Sequence, residues 1–369
     1  MPLSREQESN ARPRAREAGI IVGDDRPGEF NSITDVPGVK VGHVTLIEGD
    51  GPTVIGKGPV RTGVTAIVPP DGDWYESPFE AGQYTFNGAG TTAGLTLIDE
   101  YAQIHTPILL TNSLSVGTAY EGIVRYMVEH HFKSKGEVPW FNPVVGETSD
   151  AYLNDIGGLH VRPEHAVSSI ENATGGPIAE GTVGGGTGMS TFGFKGGIGT
   201  SSRIIEINGE PGRIGVLVQS NFGGRFHLKG ISMAEIATFP QPPTKLGSSI
   251  MMIIATDLPL SNRLLNRICK RATFGLARTG SNGGHGSGDY VIAFSTTYRN
   301  GSQQKIRDAL TQREGIIDRV FTAVADATEE SIYNAMFKAT TLVGRDGHTR
   351  HALDIDQALA ILARHNVLA

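Results

Sequence analysis

Apolar positions fall into two rhythms along this chain. Gly38 to Thr45 alternates at period two, the pattern of a half-buried strand. Val60 to Val68 predicts the next strand, stopped by Pro69-Pro70-Asp71-Gly72. Pro107–Leu110, Asn142–Val145, Ile214–Val218, Ile250–Ala255 and Tyr290–Phe294 are short apolar runs that read as buried strands. Helical spacing runs over Thr118–Phe132, with Ile123, Tyr126, Met127 and His130 on or near one face, and over Arg263–Phe274. Three helical segments close the chain: 303–313, 315–340 with a break at Asp326-Ala327-Thr328, and 353–365. A weaker helical trace from Ser232 to Phe239 leads into Pro240-Gln241-Pro242-Pro243, and residues 1–32 read as an extended arm and a first turn.

Strands and helices alternate irregularly, with no repeat of 20–50 residues. This order favours an α/β or α+β fold whose sheets are covered by helices on both outer faces. The best break in the chain is 240–245, but a strand of core character follows it at once, so a single domain over 1–369 is expected.

Composition narrows the chemistry. Glycine takes 49 of 369 positions, nearly double the roughly 7% of ordinary proteins. The glycines show no G-X-Y period and gather at 87–94, 183–199 and 283–288. The single cysteine, Cys269, excludes an intramolecular disulfide or a cysteine-built zinc site. A net charge of −6 and the lack of a basic run argue against a nucleic-acid partner. No apolar stretch reaches the ~18 residues of a membrane span. Met1 to Arg16 lacks the apolar core of a signal peptide, so a cytoplasmic protein is expected, or a periplasmic one if a signal was removed.

Several familiar motifs fail on detail. The run Gly184-Gly185-Gly186-Thr187-Gly188 is not a phosphate loop, because the nearest lysine, Lys195, lies between Phe194 and Gly196. No G-x-G-x-x-G follows a strand with an acid further on. These glycines read as tight turns, or as places where a substrate or another chain approaches the backbone. Among the 11 histidines no H-E-x-x-H occurs; His130 and His131 are adjacent, and His348 and His351 lack a third ligand. No metal and no cofactor are expected. Gly284-His285-Gly286-Ser287-Gly288 misses the G-x-S-x-G elbow, since its serine stands fourth. It reads as a turn before a strand, with Ser287 left accessible by Gly288 and Asp289 two residues on.

Gly247-Ser248 carries more. A Pro-rich segment delivers the chain to this dipeptide, and an apolar strand follows immediately. The plain reading is a β-turn. The functional reading is self-cleavage. Gly247 has no Cβ, so its carbonyl is open to the Ser248 hydroxyl. An N-to-O acyl shift followed by hydrolysis leaves Ser248 as a new N-terminus. Its α-amine, with an ordinary pKa of about 7.7–8.0, suits a general base near neutrality. A hydroxyl paired with its own N-terminal amine is an established nucleophile design.

The stretch Leu246-Gly247-Ser248-Ser249-Ile250-Met251-Met252-Ile253-Ile254-Ala255-Thr256-Asp257 resembles the cleavage segment of the L-aminopeptidase/D-esterase family, which includes the β-peptidyl aminopeptidases. Ile33-Thr34-Asp35-Val36-Pro37-Gly38-Val39, Asn87-Gly88-Ala89-Gly90, Val145-Gly146-Glu147-Thr148 with Leu153-Asn154-Asp155-Ile156, Gly286-Ser287-Gly288-Asp289 and Gly344-Arg345-Asp346-Gly347-His348 extend the likeness in order along nearly the whole chain. The resemblance implies a four-layer αββα sandwich, similar to N-terminal-nucleophile hydrolases but connected differently. It implies a precursor cut into 1–247 and 248–369, and a homo-oligomer of processed units, commonly four. It makes Ser248 the nucleophile, Ser287 the residue that bonds and tunes its amine, and Asp289 the acidic partner. Asn221 becomes an oxyanion donor and Glu147 the carboxylate for the substrate's free amino group. A family tyrosine near the oxyanion maps onto Tyr152, with Ser149 as the other register.

The expected activity is removal of N-terminal residues from short peptides, amides or esters, with β-peptidyl aminopeptidase as the alternative. Asp rather than Glu at 289 leans toward α-amino acids. Loops around 71–86 and 131–141 are the expected pocket walls. Ornithine acetyltransferases also self-cleave, but before threonine, and Ser248 argues against them. A non-catalytic protein in which Gly-Ser is only a turn is the remaining class.

Overall fold

Six consecutive apolar residues, Ile250–Ala255, are stable as a strand only when both faces are covered. All six are fully buried. The computed structural model describes residues 8–9, 11–236, 248–297, 306 and 315–368. Its main elements are β1 (Lys40–Glu48), β2 (Val60–Val68), β3 (Phe79–Gly88), α1 (Leu95–Tyr101), β4 (Gln103–Ile104), β5 (Ile108–Asn112), α2 (Val116–Met127), β6 (Val144–Thr148), α3 (Pro163–Glu171), β7 (Gly197–Ile207), β8 (Glu210–Asn221), β9 (Ser248–Thr256), α4 (Asn262–Arg278), β10 (Ser287–Ser295), α5 (Ile316–Phe337) and α6 (Ile355–Arg364).

The two main sheets among the described residues are ordered β1-β2-β5-β6 and β4-β3-β10-β9-β8-β7. Alternation along β9 shows how they stack. Ile250, Met252 and Ile254 pack with Leu265 and Ile268 of α4 and Val320 and Val324 of α5. Met251, Ile253 and Ala255 point the other way, toward Ile67, Ile108 and Val144 of the second sheet. That sheet's outer face, Val64, Ala66, Leu109 and Val145, is covered by Ala119 and Ile123 of α2 and Ala166 and Ile170 of α3. The result is helix, sheet, sheet, helix: the αββα sandwich that the resemblance implied.

The centre of the six-stranded sheet positions the site. β9 and β10 are parallel, joined through α4, and Ser248 stands opposite Ser287 in register. β8 lies antiparallel on one flank, with Asn221 opposite Ser249. β3 lies antiparallel on the other, with Gly88 opposite Gly288 and Phe86 inserted as an extra residue beside Asp289 and Tyr290.

Some expectations need correction. α5 runs unbroken through Asp326-Ala327-Thr328. The Thr328 hydroxyl donates back to the Val324 carbonyl at 2.7 Å, and Asp326 accepts from Arg278 at 2.5 Å, so both polar side chains are satisfied inside the helix. Ile231–Ser232 is a short strand pairing with His227–Leu228 rather than a helix start. The rest of that trace from 237, Gly247 of the expected cleavage site, and 303–313 apart from Ile306 lie outside the described residues. The period-two reading also passes over β3 and β7, whose glycines and polar residues dilute the apolar signal.

Part of the glycine excess now has a cause. A Cβ on Gly199 of β7 would lie 2.0 Å from the Ser331 carbonyl oxygen and 2.5 Å from the Ala335 nitrogen, so α5 rests on the bare strand backbone. Gly199→Ala is expected to lower the unfolding free energy by about 1–3 kcal/mol through overpacking, read as a shift in urea midpoint.

Candidate active site

The starts of two parallel strands place three polar side chains together. The Ser287 hydroxyl lies 2.6 Å from Asp289 Oδ1 and 3.3 Å from Ser248 Oγ. One hydroxyl carries one proton. The shorter contact takes it, so Ser287 donates to Asp289 and offers a lone pair to Ser248. Ser287 and Asp289 are buried, while Ser248 is partly open. Burial raises the Asp289 carboxyl from 3.8 to about 6, with the Ser287 hydroxyl and the Ile250 N–H pulling the other way. Its Oδ2 has no hydrogen-bond partner among the described residues.

By strand alternation these three side chains stand on the helix-facing side of the sheet, with Ile250 and Val291. Ser249 lies on the other face and ties the strand starts together. Its hydroxyl donates to the Ser248 carbonyl at 2.5 Å and accepts from the Gly288 N–H at 3.3 Å.

Two more groups arrive from the side of the second sheet. Asn221, at the end of β8, is held at both ends of its amide. Its Oδ1 accepts from the Ser190 N–H at 2.8 Å, and its Nδ2 donates to the Ser149 carbonyl at 2.9 Å, leaving one N–H free to donate. Two residues on, the Gly223 N–H points at Ser248 Oγ at 3.4 Å. Glu147, at the end of β6, is 3% exposed. Oε1 accepts from the Thr91 N–H at 2.9 Å, and Oε2 accepts from the Ser113 hydroxyl. Both partners are neutral, and no ion pair reaches Glu147 among the described residues. Its carboxylate borders Gly90: a Cβ there would sit 2.8 Å from Oε1, 3.2 Å from the Gly288 Cα and 3.3 Å from the Tyr290 ring. The Tyr290 hydroxyl fixes that loop by donating to the Gly90 carbonyl at 2.7 Å.

Five of the six side chains singled out from the sequence therefore gather around the starts of β9 and β10. Tyr152 is placed differently. Its ring stacks on His348 at 4.6 Å and lies 3.8 Å from the Arg350 guanidinium. Arg350 in turn donates to the Ser190 hydroxyl at 3.0 Å. It is the main chain of Ser149, not Tyr152, that bonds Asn221.

Most of the expected walls are elsewhere too; of 71–86 only the end of β3, around Phe86, reaches the site. Residues 70–80 line a separate cavity of about 290 Å³ with Ser295 and Thr296, at the far end of β10, about 26 Å from Ser287 at ~3.3 Å per residue. The stretch 131–141 packs onto the same loop, with His131 4.7 Å from Trp74 and Phe132 5.6 Å from Tyr75. Reasoning from the sequence misses Ser113, Thr91 and Gly223. None sits in a motif, and two of the three act through backbone N–H groups.

Residues 31–350 match peptidase family S58. The chain belongs to that family. It is 41% identical to a β-peptidyl aminopeptidase, BapA, of Sphingosinicella microcystinivorans, over 97% of this chain and 93% of that one. Among solved structures, the PH0078 protein of Pyrococcus horikoshii OT3 superposes with a TM-score of 0.85 and 46% identity, covering 96% of this chain and 99% of that one. The L-aminopeptidase D-Ala-esterase/amidase of Ochrobactrum anthropi superposes with a TM-score of 0.84 and 37% identity, covering 97% and 100%, and is described as a variant of the Ntn hydrolase fold.

The Asp289 carboxyl of this S58 peptidase gives a stability test. Its folded pKa lies above its unfolded one, so between about pH 4 and about 6 the folded state holds the proton more tightly. Raising the pH through that window strips the proton and weakens the fold. In a Ser248→Ala background, which removes the hydroxyl expected to cut the chain, adding Asp289→Asn should remove this loss. The stability of the Ser248→Ala protein relative to the double variant should fall from pH 4.5 to pH 7.5, by no more than about 3 kcal/mol, in urea titrations.

Proposed function

We propose that this S58 peptidase is a serine aminopeptidase that cuts itself between Gly247 and Ser248 and then uses Ser248 as its nucleophile. The observation that carries the reading is the chain of hydroxyls from Ser248 through Ser287 to a buried carboxylate, built at the first residue of the strand that follows Gly247.

In self-cleavage the Ser248 hydroxyl attacks the Gly247 carbonyl. Its proton passes toward Ser287 and the Asp289 carboxylate. The Gly247–Ser248 C–N bond breaks as an ester forms and the nitrogen takes up a proton. Water then hydrolyses the ester, leaving a carboxylate on Gly247 and a free hydroxyl and α-amine on Ser248. In turnover the α-amine takes the Ser248 proton, the hydroxyl attacks the substrate carbonyl, and the proton goes to the departing amine. Water releases the acyl group. Asn221 and the Gly223 N–H are the donors for the developing oxyanion.

Glu147 supplies the preference for a chain end. A buried carboxylate with only neutral partners is completed by a cation, and a substrate's terminal ammonium is one. A mid-chain peptide brings none. The family and the near-full-length aminopeptidase relatives support this reading. The relative that is 41% identical favours a second one, in which the first residue is a β-amino acid. Asp289 favours α-amino acids, and p-nitroanilides of L-Ala, D-Ala and β-Ala separate the two by which is turned over fastest. Acetyl transfer on ornithine is the weaker reading, since serine rather than threonine follows the cut. A tetramer of processed units is carried over from the resemblance.

Denaturing electrophoresis of the purified protein should show two fragments, 1–247 and 248–369. Ser248→Ala should give one intact band and no turnover. An active preparation made of a single intact chain defeats the reading. At the amine site, Glu147→Gln should raise KM at least about tenfold, because it removes the charge that meets the ammonium. Ser113→Ala should raise KM severalfold with kcat nearly unchanged, and Ser113→Thr should restore it. A Ser113→Ala enzyme with unaltered KM denies that hydroxyl its positioning role.

A further inference from the structure

A cavity of about 460 Å³ opens beside the nucleophile. Its floor is Phe192, Phe194, Phe226 and Met233, each more than nine-tenths buried. Phe192 and Phe226 stack at 5.1 Å. Gly223, whose N–H points at Ser248 Oγ, also lines this cavity. Gly224 beside it takes φ +144°, and a Cβ there would come 2.3 Å from the Gly280 carbonyl oxygen and 3.1 Å from the Phe192 ring. Two bare glycines thus leave the way open from the hydroxyl to the aromatic floor. Exposed Ala234 stands at the mouth.

The side on which the cavity opens matters. Its four floor residues belong to the core between the six-stranded sheet and helices α4 and α5, the same face on which Ser248, Ser287 and Asp289 stand. Asn221 shares the face of Leu217, toward the second sheet, and Glu147 belongs to that second sheet, so both approach from the opposite side. A substrate with its ammonium at Glu147 and its carbonyl at Ser248 crosses from one face to the other. The part beyond the scissile bond is therefore directed into the cavity.

We propose that this cavity is the subsite for the leaving group and that it selects a large apolar or aromatic residue immediately after the scissile bond. The proposal rests on reading Ser248 as the nucleophile and Glu147 as the ammonium holder. The volume is of the size that encloses a small organic group, and an apolar floor rewards the ring whose surface it removes from water. Phe192 and Phe226 are arranged to stack on that ring.

The test uses the processed enzyme and three substrates with a common first residue, whichever of L-Ala, D-Ala or β-Ala is cleaved fastest as its p-nitroanilide. The residue is followed by Phe-NH2, by Gly-NH2, or by a plain amide. The Phe substrate should have a kcat/KM at least about tenfold above the Gly substrate, the gain expected from burying a ring. Ala234→Trp should narrow the mouth and bring that ratio close to one. Met233→Ala should deepen the floor and move the preference from Phe to Trp. Equal wild-type rates on Phe and Gly, or a loss of the same size on both in Ala234→Trp, overturn the subsite and leave the aminopeptidase reading standing. Failure of the processed enzyme to cleave any of the p-nitroanilides or amides defeats that reading itself.

Discussion

The parallel pairing of β9 with β10 is the constraint on which the site depends. A parallel pair in register brings the two strand starts level, so Ser248 meets Ser287 without any loop having to fold back. Antiparallel pairing would put one serine at each end of the sheet. The pairing needs burial on both faces, because parallel strands are stable only under cover. The apolar run Ile250–Ala255 meets that need with three residues toward the helices and three toward the second sheet. The hydrophobic core and the placement of the Ser248 hydroxyl are thus two consequences of one strand, with Ser248 as the first residue of the strand that carries the core.

The same placement sets the electrostatics. Two residues into β10, Asp289 is deep enough for burial to raise its pKa to about 6 and shallow enough to reach Ser287. It remains mostly ionised at neutral pH, yet holds its charge against the cost of desolvation. Its unpartnered Oδ2 is a standing demand for one more donor. Release of an α-amine at Ser248 would place a cation close to that demand and draw the carboxyl pKa down. On the proposed reading, cleavage would change the acid at the end of the relay as well as create the base at its start.

Much of this is legible in the sequence, for identifiable reasons. β2 is read with its observed ends because Pro59 and Pro69 bracket it, and the structure buries both its faces. Ser248 and Ser287 are legible because glycine and acid neighbours mark them within a few residues. Tyr152 and Ser149 are not separable from sequence, because two registers of the stretch after Glu147 satisfy the family pattern. In the structure the Ser149 carbonyl contacts Asn221, while the Tyr152 ring stacks on His348. The pocket walls are misjudged because a loop's nearness in sequence to a strand does not say which end of the strand it joins. β3 enters the sheet at Ser295 and reaches the site only at Gly88. Ser113 is invisible for a related reason: it meets Glu147 because β5 and β6 run parallel in register, and no spacing along the chain encodes that.

Glycine at the site answers a geometric demand that side chains cannot. Gly90 and Gly288 approach so closely that a Cβ on Gly288 would lie 3.0 Å from the Gly90 Cα, which lets the loop carrying Thr91 close over Glu147. That closure shields a carboxyl group that has no ion-pair partner among the described residues. An endopeptidase has no use for such a group, since a mid-chain substrate would leave it desolvated and unpaired, at a cost of several kcal/mol. The same feature that would penalise an internal peptide bond is neutralised by a free ammonium. On the role proposed for Glu147, selectivity for chain ends would arise from an interaction the protein leaves incomplete, held in position by Ser113 and Thr91 and ready for the one part of a peptide that carries the missing charge.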